Sequence, residues 1–476
     1  MLYTPSEKRT AFISAIIGLV CQGCITARIN IEDHQPLTSK KDAPGYSTYD
    51  SFKDLVKATD AIYPEAVRVT DPGTKENPWF HGFFFYKCSP RDLSQFDPSG
   101  RYMIDMRITI EGREVQATDK GDIGIIDLKN NHQWTKIGET TAWNWQQGCR
   151  MEWIPGSSTE VIWDDRAGDN KNFVSRIYNT KTKQTRTLPR PVYTVSPDGN
   201  TALTHDFERM KHGGTNYVGI EDVNSNVWAP ENTGIYKMNM KTGKAEKIVS
   251  VRQMAHIMFP GGLPADTAGG SLYIFREGYN PSGKRFIAFV KDVRISASGQ
   301  ERTHTVGYSM TADGKDIRFL YEEPSHHYWF DDENILDNVT ETPPGTSAAV
   351  RGYFHFKDDG SGKVKDFLWA ASNGHDSFHP GGKWILTDTY NIDGFEYLYL
   401  YHIPTKKFIV LGKFAFKVKG VQSKKDAGIL RVDLHPRFSP DGNFVAFDAN
   451  HEGLGRQTYL VDIRSILKNP PPPLEK

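Results

Sequence analysis

A short turn recurs seven times along this chain, at intervals of roughly forty to eighty residues. The seven are Asp97-Pro-Ser-Gly100, Ile154-Pro-Gly-Ser157, Ser196-Pro-Asp-Gly199, Asn280-Pro-Ser-Gly283, Phe330-Asp-Asp-Glu333, His379-Pro-Gly-Gly382 and Ser439-Pro-Asp-Gly442. In most of them Pro pre-sets φ and Gly supplies a positive φ, so each reverses the chain between two strands. A repeat converts equal positions in sequence into equal positions in space. Four residues before the turns stand Leu93, Arg150, Val192, Arg276, His326, His375 and His435, five of them basic or imidazole.

The clearest unit runs His435-Pro-Arg-Phe-Ser-Pro-Asp-Gly-Asn-Phe-Val-Ala-Phe-Asp448, then Arg456-Gln-Thr-Tyr-Leu-Val-Asp-Ile463. The same grammar recurs at 382–388 with 397–402, and at 199–205 with 234–239. Lys241-Thr-Gly-Lys244 and Pro404-Thr-Lys-Lys407 are hairpin turns into a fourth strand. Four antiparallel strands per unit predict an all-β fold, a seven-bladed β-propeller of four-stranded blades over residues 61–468. Residues 66–71 are expected to close the ring as the outer strand of the last blade, removing an exposed sheet edge.

Lys and Arg total 58, equal to Asp and Glu at 58, which argues against a nucleic-acid-binding surface. Lys8 and Arg9 precede an apolar run over 11–20, too short for a membrane span. Residues 1–24 therefore read as an export signal, placing the protein in the periplasm, on the outer membrane or outside the cell. Gly23-Cys24 is similar to the end of a lipobox and suggests a lipid anchor on Cys24. Residues 25–60 read as a polar spacer with one short helix around 51–58, and 469–476 as a Pro-rich extended tail. Cys88 and Cys149 remain after the leader, as a disulfide or as two buried thiols.

The inner strand of a propeller blade lines the central axis, and the turn occupies one end of it. Arg150, Arg276, His326, His375 and His435 should then share a mouth at the other end. The second strands should bring Asp164-Asp165-Arg166, His205-Asp206, Asp388 and Asp448 to the same rim. His326, His375 and His435 could hold a divalent metal (manganese, calcium or zinc), with Asp388 or Asp448 as ligand or orienting group. Arg150 and Arg276 could bind a carboxylate. Cations beside a carboxylate suit β-elimination from a uronic acid, where an enolate-like dianion must be neutralised. Arg150, Arg276 and His375 are the expected catalytic residues. Trp143, Trp145, Gln146 and Gln147 read either as a sugar-binding platform or as an inter-blade plug; Tyr217, Tyr328 and Tyr390 are rim candidates. No nucleophile elbow, Walker loop, Rossmann fingerprint or His-Glu-x-x-His is present.

Ser325-His-His-Tyr-Trp329, Asn373-Gly-His-Asp-Ser-Phe378 and Leu434-His-Pro-Arg-Phe-Ser-Pro-Asp-Gly442 resemble the oligogalacturonate lyase type of propeller. With Ala142-Trp-Asn-Trp-Gln-Gln-Gly148, the chain also looks like exported bacterial propellers near the ulvan lyases and propeller rhamnosidases. The resemblance implies a divalent metal, usually manganese, on His326, His375 and His435, and an anionic oligosaccharide or polysaccharide as partner. That family adds a Gln ligand, for which no residue stands in the matching place here. Arg276 occupies a position where a His is expected, and Phe80-His-Gly-Phe-Phe-Phe-Tyr-Lys-Cys88 replaces a Gly-Tyr-Tyr-Asp run. Two other functions stay open. One is a glycosidase using Asp165, Asp388 or Glu452 as its acid. The other is a non-catalytic binding propeller of the cell envelope.

Overall fold

The computed structural model describes residues 46–210, 215–343, 345–361, 364–416 and 431–472. Their strands form seven antiparallel sheets in chain order, a seven-bladed propeller. Blade 2 is built from Glu152–Trp153, Glu160–Arg166, Phe173–Asn179 and Thr185–Leu188. Blades 5, 6 and 7 begin with the inner strands His327–Trp329, Ser377–Phe378 and Arg437–Phe438. Blade 1 departs from the four-strand pattern. Its inner strand is reduced to a single bridge between Phe96 and Met103, beside the three strands Tyr102–Arg107, Gly121–Asp127 and Gln133–Thr140.

The recurring turns are hydrogen-bonded as their sequence dictates. Gly199 donates to Ser196, Gly382 to His379 and Gly442 to Ser439 at 2.8–2.9 Å, with φ of +71° to +75° at each Gly. The ring closes where expected: Ala66–Arg68 is the outer strand of blade 7, in register with Val461, Leu460 and Tyr459.

The spacer reading needs correction at its C-terminal end. Thr48–Tyr49 adds a fifth strand to blade 6, opposite Ile409 and Phe408. The helix Phe52–Lys57 follows, its first turn capped by the Ser51 hydroxyl, which accepts from the Asp54 amide at 3.2 Å. Leu55 anchors that helix among Tyr397, Tyr399 and Phe408. Polar composition hid this docking because a single buried Leu and a cap suffice for six residues. The export signal and Cys24 lie outside the described residues, as does the tail beyond 472. No helix among the described residues is long and apolar enough to cross a membrane. Cys88 and Cys149 are buried free thiols, not a disulfide.

After Phe80, which bridges Ile108 at the edge of blade 1, the segment His81-Gly-Phe-Phe-Phe-Tyr-Lys-Cys88 leaves the blades and threads the centre of the ring. Phe83 lies against Gly148 of the blade 2 approach, Phe84 beneath Arg437 of blade 7, and Cys88 against Gly278 of blade 4. The Phe85 ring meets Arg150, Arg276 and His435, from blades 2, 4 and 7. Contacts to three sides of one ring place Phe85 on the axis. Gly82 opens this path. Its φ is +91°, and a Cβ there would lie 2.6 Å from the Asp448 carboxylate carbon. Phe83, Phe84, Phe85 and Tyr86 are all buried, so the channel is stoppered by an aromatic plug.

Candidate functional site

Above the plug the three histidines converge. The ring centroids of His326 and His375 are 4.3 Å apart, as are those of His375 and His435. Tyr86 supports them from below, 4.8 Å from His326 and 5.7 Å from His375. The backbone marks the repeat position independently. Leu93, Arg150, Arg276 and His435 all adopt φ between +37° and +56°, a left-handed kink rare for residues other than Gly.

Two of the three imidazoles are oriented by different second groups, whereas His435 Nδ1 has no hydrogen-bond partner among the described residues. In blade 6, Asp388 Oδ1 accepts the His375 amide at 2.7 Å, and the carboxylate lies 2.9–3.0 Å from His375 Nδ1. A carboxylate only accepts, so Nδ1 carries the proton and Nε2 presents a lone pair. In blade 5, the Ser325 hydroxyl donates to Asn373 Oδ1 at 2.6 Å, and Asn373 Oδ1 also receives the Gly374 amide. The Ser325 oxygen therefore accepts from His326 Nδ1 at 2.8 Å. His326 Nε2 is left bare, with no partner among the described residues. Burial, then the charges of Arg276 and the neighbouring histidines, pushes His326 well below the usual imidazole range. His435 is lowered in the same way, by burial first and then by His375 and three arginines. Both rings are neutral at physiological pH.

Asp433 completes the cluster. His375 Nε2, His435 Nε2 and an Asp433 oxygen lie within 4.8 Å of one another, all three residues buried. Asp433 Oδ2 is 4.0 Å from His375 Nε2 and 3.8 Å from His435 Nε2. It has no hydrogen-bond partner among the described residues, whereas Oδ1 accepts from Arg431 Nε at 2.6 Å. A buried carboxylate oxygen without a donor, facing two imidazole nitrogens, fits a cation. Two imidazoles and a carboxylate suit manganese, iron or zinc; calcium, which takes six to eight oxygens, fits poorly. His326 stands beside this triad and not within it. Tyr390 also reaches the cluster, its hydroxyl 3.5 Å from His375 Nε2 and its ring 4.8 Å from the Arg431 guanidinium.

Asp433 and Arg431 were not anticipated. The signal was present: 431, 433 and 435 alternate, and alternate residues of an extended segment share a face.

The arginines reach the axis, each donating to a backbone carbonyl, and Arg150 Nη1 has no partner among the described residues. Arg150 donates through Nε, at 3.0 Å, and Nη2 to the Tyr193 carbonyl, and its plane covers the Tyr193 ring at 4.0 Å. Arg276 donates through Nη1 to the Ser325 carbonyl, beside His326, while its Nε has no partner among the described residues. Of the two, Arg276 is the one placed at the histidines.

Several other expectations are corrected. Trp143 and Trp145 are buried against Phe83, and their indole N–H groups donate to the carbonyls of Asp119 and Arg113. They plug the inner wall and offer no open face for a sugar. Gln146 and Gln147 are buried with them, and the Gln147 amide donates to the Tyr193 hydroxyl at 3.3 Å. Tyr217 packs on Phe173 and Phe207. Tyr328 stacks on Phe378 toward the turn-bearing face, because it lies two residues further down its strand than His326. The second-strand carboxylates are not rim groups either. Asp164 accepts from the Val192 amide and Ser175, Asp165 from Thr141 and Arg176, and Asp448 from Arg437 and Thr458. His205 faces the Glu277 carboxylate at 2.6 Å, and Glu452 pairs with Arg68. Asp388 holds His375. None of Asp165, Asp388 and Glu452 stands free at the cluster as a glycosidic acid.

No known protein family matches the chain, and no curated protein does. Among solved structures, an oligogalacturonate lyase in complex with manganese aligns with 88% of this chain and 96% of its own, at 13% identity and a TM-score of 0.50. The likeness is one of fold. TolB from Acinetobacter baumannii aligns with 77% of this chain and 83% of its own, at 14% identity and a TM-score of 0.35. A prolyl endopeptidase aligns with 80% of this chain and 49% of its own, at 12% identity and a TM-score of 0.42. A fold does not fix a function, so function must be argued from the site.

Proposed function

We propose that this protein is a lyase that cleaves uronate-containing oligosaccharides by β-elimination with the help of a divalent cation. The observation that carries the reading is the buried triad of His375, His435 and Asp433, whose facing ligand atoms include a carboxylate oxygen without a donor. The fold shared with a manganese-bound oligogalacturonate lyase supports it. His375, His435 and Asp433 would hold the cation, which supplies positive charge to a sugar carboxylate and so acidifies its neighbouring C5–H.

This chain's own residues do the rest. Arg276, beside His326, adds fixed positive charge where the enolate-like dianion develops. His326 accepts the C5 proton at Nε2: its Nδ1 proton is fixed by Ser325, and burial keeps the ring neutral. Tyr390 donates its hydroxyl proton to the departing glycosidic oxygen. Arg431 and Tyr390, the partly exposed members, form the entrance. Electron flow is from the C5–H bond into a C4–C5 double bond, with loss of the C4–O bond.

Incubation with a panel of uronate oligomers and polymers, with and without chelator, tests this. Ultraviolet absorbance of the unsaturated uronate should appear on at least one substrate and vanish on chelation. Absence of absorbance throughout, together with metal-free protein by elemental analysis after manganese loading, would sink the reading.

A further inference from the structure

The three strands that raise the histidines continue to the opposite, turn-bearing face. Tyr328 follows His326 by two residues; Phe378 and Phe438 follow His375 and His435 by three. These aromatics, with Phe330, line a cavity of about 500 Å³, a volume suited to a small organic ligand. One wall is flat and apolar. Phe378 stacks on Tyr328 at 5.6 Å and 29°, and on Phe330 at 4.6 Å and 27°.

The lining is also cationic. Lys87, at the lower end of the axial plug, and Arg91 both line the cavity. Neither makes a hydrogen bond or ion pair with any described residue. The carboxylates nearest in influence are Asp92 and Glu152. Asp92 is occupied by the Cys88 amide at 2.9 Å and the Thr194 hydroxyl at 2.7 Å. Glu152 is buried, and desolvation raises its carboxyl well above the usual range. Ser377, 2% exposed, lines the same cavity, and its hydroxyl has no partner among the described residues. His355, His379 and Ser439 complete the polar lining; the His355 ring faces Asn334 and Asp366, His379 Nδ1 accepts from Gly381, and the Ser439 hydroxyl donates to Asp441 at 2.6 Å.

An unpaired ammonium, an unpaired guanidinium and a buried hydroxyl in one cavity with an aromatic slab define a ligand with one anionic end and a flat apolar body. We infer that this cavity is a second binding site, separate from the histidine cluster, for an aromatic carboxylate. Its ring lies along Phe378, and its carboxylate meets Lys87 and Arg91 with Ser377 donating to an oxygen.

Equilibrium dialysis of the full chain against 2-naphthoate, with 2-naphthamide as the uncharged isostere, tests this. Chelator is present throughout, so the outcome is independent of the metal reading. Saturable binding of one naphthoate per chain is expected, with the amide about tenfold weaker or worse. Arg91→Met, at an exposed position, and Lys87→Met should each weaken naphthoate several-fold and leave the amide unchanged, with melting temperatures recorded as a folding control. Phe378→Leu should weaken both ligands. Equal binding of acid and amide, indifference of naphthoate to Arg91→Met in a folded variant, or no saturable binding would each overturn the proposal.

Discussion

Blades 2 and 4 and blades 6 and 7 place a charged or imidazole residue at the same repeat position, yet the positions differ in what remains available. Arg150 and Arg276 are tied to backbone carbonyls across the blade gap, those of Tyr193 and Ser325. His375 and His435 keep nitrogens turned to a carboxylate that itself lacks a donor. Equal position therefore does not mean equal chemistry. A guanidinium can spend some of its donors on carbonyls of a buried wall, whereas His375, held at Nδ1 by Asp388, leaves Nε2 to whatever fills the centre.

The largest effect that could break this contrast lies in the cluster. His375→Gln, His435→Gln and Asp433→Asn should each lower turnover by about a thousandfold or more on the substrate found. They should also lower manganese content by elemental analysis, while far-ultraviolet circular dichroism stays unchanged. Retention of metal in all three would remove the triad from the site. Asp388→Asn should act through His375, with a smaller loss of turnover and a weaker affinity for the cation.

The plug should show its weight in stability. Phe85→Ala removes a buried ring that touches blades 2, 4 and 7, and should cost about 3–5 kcal/mol in urea unfolding. Tyr86→Phe deletes only a hydroxyl that has no partner among the described residues, and should be nearly neutral in stability. A small effect of Phe85→Ala would mean that the blades, not the plug, hold the centre.

The arginines give an intermediate test. Arg150→Met should lower stability by about 2 kcal/mol, since the Tyr193 carbonyl loses its donors, with little effect on turnover of the surviving folded fraction. Arg276→Met should instead lower kcat by about tenfold or more, with the smaller change in melting temperature. The reverse order would place the anion-binding charge on blade 2.

What could be read in advance follows from how local each determinant is. Turn chemistry is local, so the seven reversals, six of them marked by Pro and Gly, located the blades, the ring closure at residues 66–68 and the convergence of three histidines. The plug was not legible, because nothing within Phe83-Phe84-Phe85-Tyr86 distinguishes a strand buried in a sheet from one threaded through a ring. Asp433 was not legible from the repeat because it lies six residues before its turn, at a position where no other unit carries a carboxylate. Trp143 and Trp145 were ambiguous for a reason intrinsic to indole: the same ring serves a sugar platform or a core, and only the partners of its N–H decide.

A pH-dependent effect separates two equivalent carboxylates, Asp337 in blade 5 and Asp388 in blade 6. Both accept the amide of their blade's histidine, at 2.9 Å and 2.7 Å. Asp388 also faces His375 Nδ1, whereas the side chain beside Asp337 is the neutral Tyr321 hydroxyl, and burial pushes Asp337 up to about 6. Its folded-state value thus exceeds the unfolded one, near 3.8. An acid shifted upward binds its proton more tightly when folded. Its favourable contribution is present below the unfolded value and is lost as pH rises from about 4 through 6. Asp337→Asn has no proton to lose and keeps one oxygen for the two amides. Relative to the wild type, the variant should therefore gain about 2–3 kcal/mol between pH 4 and pH 7.5 in urea unfolding, whatever its offset at pH 4. A difference constant across that range would mean that Asp337 is stabilised as a carboxylate, and that blades 5 and 6 hold their histidines by the same means.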